Sequence, residues 1–147
     1  MASAQYTVGQ MSKASQTKTV TIRYYEQQGL MRIPPRTPGG YRVYDDHDLD
    51  RLLFIRRSRH LGFSLKSVRE LLELADQADA PCADVNAKVA QHLTDVRKRL
   101  EQLHSLEDEL HRLSVSCKGG GVVGDCQIIE TLSSDKQAPE IHSGTGD

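Results

Sequence analysis

Residues 84–116 read DVNAKVAQHLTDVRKRLEQLHSLEDELHRLSVS. Val85, Val89, Leu93, Val96, Leu100, Leu103, Leu106, Leu110 and Leu113 recur mostly in steps of three and four, the signature of one helix with a single apolar stripe. No Pro or Gly interrupts the run. At a rise of ~1.5 Å per residue the helix spans on the order of 50 Å. A lone helix of that length leaves its stripe in water, and a second helix is the natural cover. Cys82 lies just before the run, and Cys117 and Cys126 lie just after it. A continuous helix holds these thiols apart within one chain. Two chains packed antiparallel bring Cys82 of one beside Cys117 and Cys126 of the other, twice over.

Around this stretch, 147 residues suffice for one ordinary domain, or a small domain plus an assembly element. Trp is absent and aromatics are 5%, which argues against a large independent core. The net charge of -1 conceals an asymmetry. Residues 1–74 carry 12 Lys and Arg against 7 Asp and Glu, whereas residues 75–147 carry 7 against 13. The first half suits a polyanion and the second repels one, although an uneven solvated surface gives the same count. No run approaches the ~20 apolar residues of a membrane span. The N-terminus lacks a basic-then-apolar leader pattern, so a cytoplasmic protein with reduced thiols is expected.

Taken in order, Thr7 suits the N-cap of a helix to about Ala14, with Val8 and Met11 inward. A turn over Ser15–Lys18 leads to a second helix from about Lys18 to Gln28, closed by Gly29 in the left-handed cap position. Val20 and Tyr24, four apart, are assigned to its buried side. Two short helices joined this way form a helix-turn-helix, whose second helix enters the major groove. Lys18, Thr21 and Arg23 can bond base edges and phosphates. A short basic helix that is merely solvated is the bland alternative.

Pro and Gly over residues 34–40 exclude regular helix, and the alternation over residues 41–44 suggests a small hairpin, or wing, with Arg36 and Arg42 free to grip phosphate. A plain connector reads equally from those residues alone. Asp45 or Asp46 can cap a third helix made basic by Arg51, Arg56, Arg57 and Arg59, ended at Leu61-Gly62-Phe63. Ser64 caps a fourth over Leu65–Leu74. Residues 76–83 read as a linker, 84–116 as the dimerisation helix, 117–132 as a Gly-rich loop plus a short helix, and 133–147 as a polar disordered tail. Ile128, Ile129 and Leu132 are expected to pack back.

The series Thr21-Ile22-Arg23-Tyr24-Tyr25-Glu26, Gly29-Leu30, then Gly40-Tyr41-Arg42-Val43-Tyr44, then Leu61-Gly62-Phe63-Ser64-Leu65 resembles the MerR family of bacterial transcriptional regulators. The resemblance covers nearly all of residues 6–132. It implies a mainly α chain: a winged helix-turn-helix DNA-binding domain over residues 1–75, a long antiparallel coiled-coil helix and a C-terminal effector loop. It implies that Arg23, Tyr24, Tyr25, Tyr41 and Arg42 contact operator DNA or support that contact. Double-stranded promoter DNA, a second copy of the chain and RNA polymerase are the implied partners, and distortion of an overlong promoter spacer is the implied mechanism.

Within that family, Cys82, Cys117 and Cys126 are similar to the ligand set of the divalent soft-metal sensors. The monovalent-ion sensors usually carry Ser where Cys82 stands, and the iron–sulfur branch needs four cysteines. Zinc sensors typically have adjacent cysteines and a loop histidine. Here Ser116 and Lys118 flank Cys117, and no His lies between Cys117 and Cys126. Zinc prefers four ligands, so three sulfurs favour mercury, lead or cadmium over zinc. His111 and Asp125 are further donors to weigh. A thiol oxidoreductase would need a Cys-x-x-Cys pair, which is absent. A cytosolic thiolate metal buffer or carrier, without specific DNA binding, is the competing function.

Overall fold

The computed structural model describes residues 4–134. The chain divides into two compact units, Met1–Lys88 and Val89–Asp147. In the first, α1 spans Val8–Ser15, α2 Thr19–Gln27, α3 Asp46–His60 and α4 Leu65–Ala75. The long helix α5 spans Cys82–Ser116, and α6 spans Gln127–Ser133.

Local chemistry sets the helix ends. Thr7 caps α1 in a reciprocal capping box with Gln10. Asp45, rather than Asp46, caps α3 in the same way with Asp48. Ser64 caps α4 through the Ser67 amide. At the C-terminal end of α2, Gly29 takes φ 73°. The Leu30 amide then reaches the Tyr25 carbonyl at 3.0 Å and the Gly29 amide reaches Glu26 at 3.1 Å. That pairing closes the helix and turns Leu30 into the core. Gly62 repeats the arrangement after α3, with Phe63 as the buried residue.

Met11, Ile22, Tyr25, Leu52, Ile55 and Val68 meet in one core drawn from all four short helices. Val20 and Tyr24 are not in it: they are 74% and 43% exposed, while Ile22, Tyr25 and Glu26 face inward. The expected burial of Val20 and Tyr24 is therefore corrected. Val20 with Tyr24 and Ile22 with Tyr25 each offer an apolar pair on one face of a nine-residue helix, and packing against α1 and into the shared core selects the Ile22 phase.

Between α2 and α3 lies the wing. It forms isolated antiparallel bridges, Arg36 to Arg42 and Tyr6 to Tyr44, rather than full strands. The Gly40 amide bonds Thr37 at 2.8 Å, and the Thr37 amide bonds Tyr41 at 2.7 Å. Gly40 sits at φ 85°, the left-handed residue that a three-residue hairpin loop needs after its turn. The Tyr6–Tyr44 bridge ties the wing's end to the segment leading into α1.

Helix α5 starts at Cys82, two residues before Asp84, so the linker is shorter than expected. Pro81 stands immediately ahead of it, where a residue with no amide donor leaves nothing unsatisfied. Beyond α5, the loop holds a 3₁₀ turn over Val123–Asp125. Ser133, expected in the tail, is the last residue of α6; residues 135–147 lie outside the described residues. Ile129 and Leu132 are 48% and 68% exposed, so they do not pack back within the chain as expected. No helix among the described residues is long and apolar enough to cross a membrane.

Candidate nucleic-acid interface and thiol centre

The outward face of α2 carries Val20, Arg23, Tyr24 and Gln27, all exposed. Lys18, the residue before α2, is exposed as well, and Thr21 is half-buried. Arg23 of this helix joins Arg36, Tyr41 and Arg42 of the wing, with Val8 and Gly40, around one groove of about 370 Å³. The fold thus assembles four of the sequence-chosen residues from segments up to 19 positions apart. Tyr41 is 75% exposed. Cationic and aromatic groups along a groove suit a phosphate backbone and its sugars.

Three chosen residues have structural work as well. Tyr25 is buried, so it supports the α2 surface and does not present its ring on it. Arg59 donates to the Phe63 carbonyl at 2.8 Å, which clamps the α3–α4 turn. Arg42 is only 25% exposed and pairs through Nη1 with Glu26 Oε2 at 3.3 Å, so it is less free to grip phosphate than the hairpin reading assumed. The buried Tyr44 hydroxyl donates to Glu26 Oε1. Burial, then the Glu26 contact, pushes the Tyr44 phenol well above its usual range, so it remains a donor. Glu26 therefore joins α2 to the wing from inside. Sequence reading missed it, because a buried carboxylate carries no apolar signal and its partners lie 16 and 18 residues away.

The thiols occupy two places. Cys82 is the first residue of α5 and is exposed. Cys117 follows the last residue of α5, and Cys126 immediately precedes α6; both are half-buried and neither is in a disulfide. Gly119 and Gly121, at φ 74° and 93°, let the loop double back so that the Cys117 thiol donates to the Cys126 sulfur. The Ile129 and Ile128 amides also point at Cys126, and these contacts hold its thiol below the usual range. Iodoacetamide alkylation of the metal-free protein, followed by mass spectrometry across pH, is expected to give Cys126 a midpoint below the ordinary thiol value of about 8.5. A midpoint at or above that value would contradict the amide contacts.

Two neighbouring sulfurs, one of them with its thiol drawn below the usual range, form a donor set matched to soft ions. Among the described residues, Asp45, His47 and Asp48 also offer ligand atoms within 4.8 Å of one another. Asp45 and Asp48 are already engaged, however, in the α3 cap and with Arg32, whose Nε and Nη2 reach Asp48 at 2.7 and 2.8 Å.

Comparison with known proteins identifies the scaffold. The pattern described as MerR HTH family regulatory protein matches residues 6–75, and that described as MerR, DNA binding matches residues 49–113. The chain is 39% identical to the HTH-type transcriptional regulator ZntR of Escherichia coli K12 over 95% of its own length and 99% of the relative's. The chain belongs to the MerR family. It is a DNA-binding transcriptional regulator, not an enzyme. A second relative, the mercuric resistance operon regulatory protein of Bacillus cereus, is 35% identical over 87% of this chain and 97% of that one. The crystal structure of the transcription regulator PbrR691 from Ralstonia metallidurans CH34 in complex with lead(II) aligns at a TM-score of 0.77. It shares 38% identity and covers 86% of this chain and 98% of that one.

Proposed function

We propose that this MerR protein is a metal-responsive activator of a metal resistance or efflux operon that works as a homodimer on promoter DNA. One divalent soft ion is held by Cys82 of one protomer and by Cys117 and Cys126 of its partner. The observation that carries the proposal is on α5. None of its residues is buried, and its apolar stripe lies open from Val85, 37% exposed, to Leu110, 64% exposed. Stripe and thiols are satisfied by one arrangement: two α5 helices packed antiparallel, which covers the leucines and gathers three sulfurs at each end.

The bound ion supplies a strong multi-sulfur link. The chain's own contribution is to aim the Ile129 and Ile128 amides at the Cys126 sulfur, which eases loss of its proton, to fold the loop back through Gly119 and Gly121, and to fix Cys82 at a helix start. Mercury, lead and cadmium are favoured over zinc by the lack of a histidine between Cys117 and Cys126. Ligand thiols lose protons on binding, so apparent affinity rises with pH. For transcription, the ion must favour one disposition of the two DNA-binding heads over another. RNA polymerase then starts from a promoter spacer that the dimer distorts.

The test joins a gel shift on the protein's own upstream promoter with titration by a panel of divalent ions, read by thiolate-to-metal absorption and by in-vitro transcription. Sequence-specific binding that weakens steeply with salt and is lost in Arg23→Ala, together with ion-dependent transcription, is the expected result. Ion binding without any specific DNA complex would leave a thiolate buffer or carrier.

A further inference from the structure

Val20 stands apart from the other surface residues of α2. It is the second residue of that helix and is 74% exposed. Its isopropyl group shares one face with Arg23 and Tyr24, at i+3 and i+4. Lys18, at the start of the helix, makes no side-chain capping bond, so the first turn of α2 is not covered by a cap of its own. The opposite face is committed to the core through Ile22, Tyr25 and Glu26.

We propose that Val20 is a specificity-determining residue that reads the C5 methyl of a thymine in the major groove, one per half-site. The inference rests on the reading of α2 as the helix that enters the groove. In that docking the N-terminal residues of the helix meet base edges. A base edge offers one apolar feature there, the thymine methyl, and an aliphatic side chain is its complement. Val20 has no hydrogen-bonding side-chain group, so it can select only by contact with that methyl. Arg23 and Tyr24 on the same face carry the polar groups for phosphates and other base edges.

Replacing thymine by uracil deletes the methyl and leaves the base pair otherwise intact, which makes a clean experiment. The preferred sequence is first selected from random duplex DNA with the full-length protein. Each thymine is then replaced symmetrically by uracil, and affinity is measured for the parent chain and for Val20→Ala. One position is expected to cost the parent about fourfold per half-site on losing its methyl. Val20→Ala is expected to lose a similar factor on the thymine duplex and to be indifferent to uracil there. Uracil effects that are absent, or that persist undiminished in Val20→Ala, overturn the inference while leaving specific binding intact. Recovery of no preferred sequence overturns the inference together with the reading of α2. An unchanged circular dichroism spectrum is expected for the variant, since the substitution lies on an exposed helix face and alanine is a better helix former.

Discussion

Cys82→Ser is expected to bind lead(II) or cadmium(II) at least about 100-fold more weakly than the parent chain, while metal-free DNA binding is unchanged. The size follows from the role: loss of a residue that merely orients a ligand costs about 10–100-fold, and loss of a ligand costs at least as much. DNA binding is spared because Cys82 opens α5 and takes no part in the groove of Arg23, Arg36, Tyr41 and Arg42. Mixing sharpens the result. A chain with Cys82→Ser and a chain with both Cys117→Ser and Cys126→Ser each lack a three-sulfur site. Their mixed dimer regenerates one. After unfolding and refolding together in equal amounts, about a quarter of the parent's thiolate-to-metal absorption returns, given random pairing of a two-fold assembly. A site built within one chain gives no recovery on mixing.

Glu26→Ala is expected to destabilise the DNA-binding unit by about 3 kcal/mol. The carboxylate is 6% exposed, holds Arg42 at 3.3 Å and accepts from Tyr44. Its removal leaves a guanidinium and a phenol without their shared partner. Breaking one side of a fully buried ion pair costs about 3–5 kcal/mol, and the partial exposure of Arg42 keeps the expected value at the low end. For a domain of this size the melting temperature falls by more than about 10 °C. Tyr44→Phe removes one hydroxyl, keeps the ion pair and costs about 1 kcal/mol. Thermal unfolding followed by circular dichroism decides the matter. A shift within about 2 °C for Glu26→Ala would show that the buried carboxylate does not join α2 to the wing.

Much of the fold was legible because its signals are local. Thr7, Asp45 and Ser64 cap helices through their own side chains, and Gly29 and Gly62 take backbone angles that few other residues tolerate. The exposed α5 stripe was likewise read directly from spacing. What escaped depends on partners distant in sequence. The spacing of Val20 and Tyr24 points inward because nine residues do not fix the phase of a helix; α1 and the shared core fix it instead. Arg42 was read as a free grip on DNA, but Glu26 holds it from the adjacent helix. Pairing of Cys117 with Cys126 follows from their shared place after the long helix, whereas the amides that draw the Cys126 thiol down belong to the turn that α6 creates.

A helix of 35 residues that buries none of its side chains has little but its own backbone hydrogen bonds to hold it. In the proposed dimer its persistence is governed by mass action, and it frays on dilution as the second copy leaves. How many copies a cell holds would thus set the fraction of regulator able to answer at all, before any ion is present.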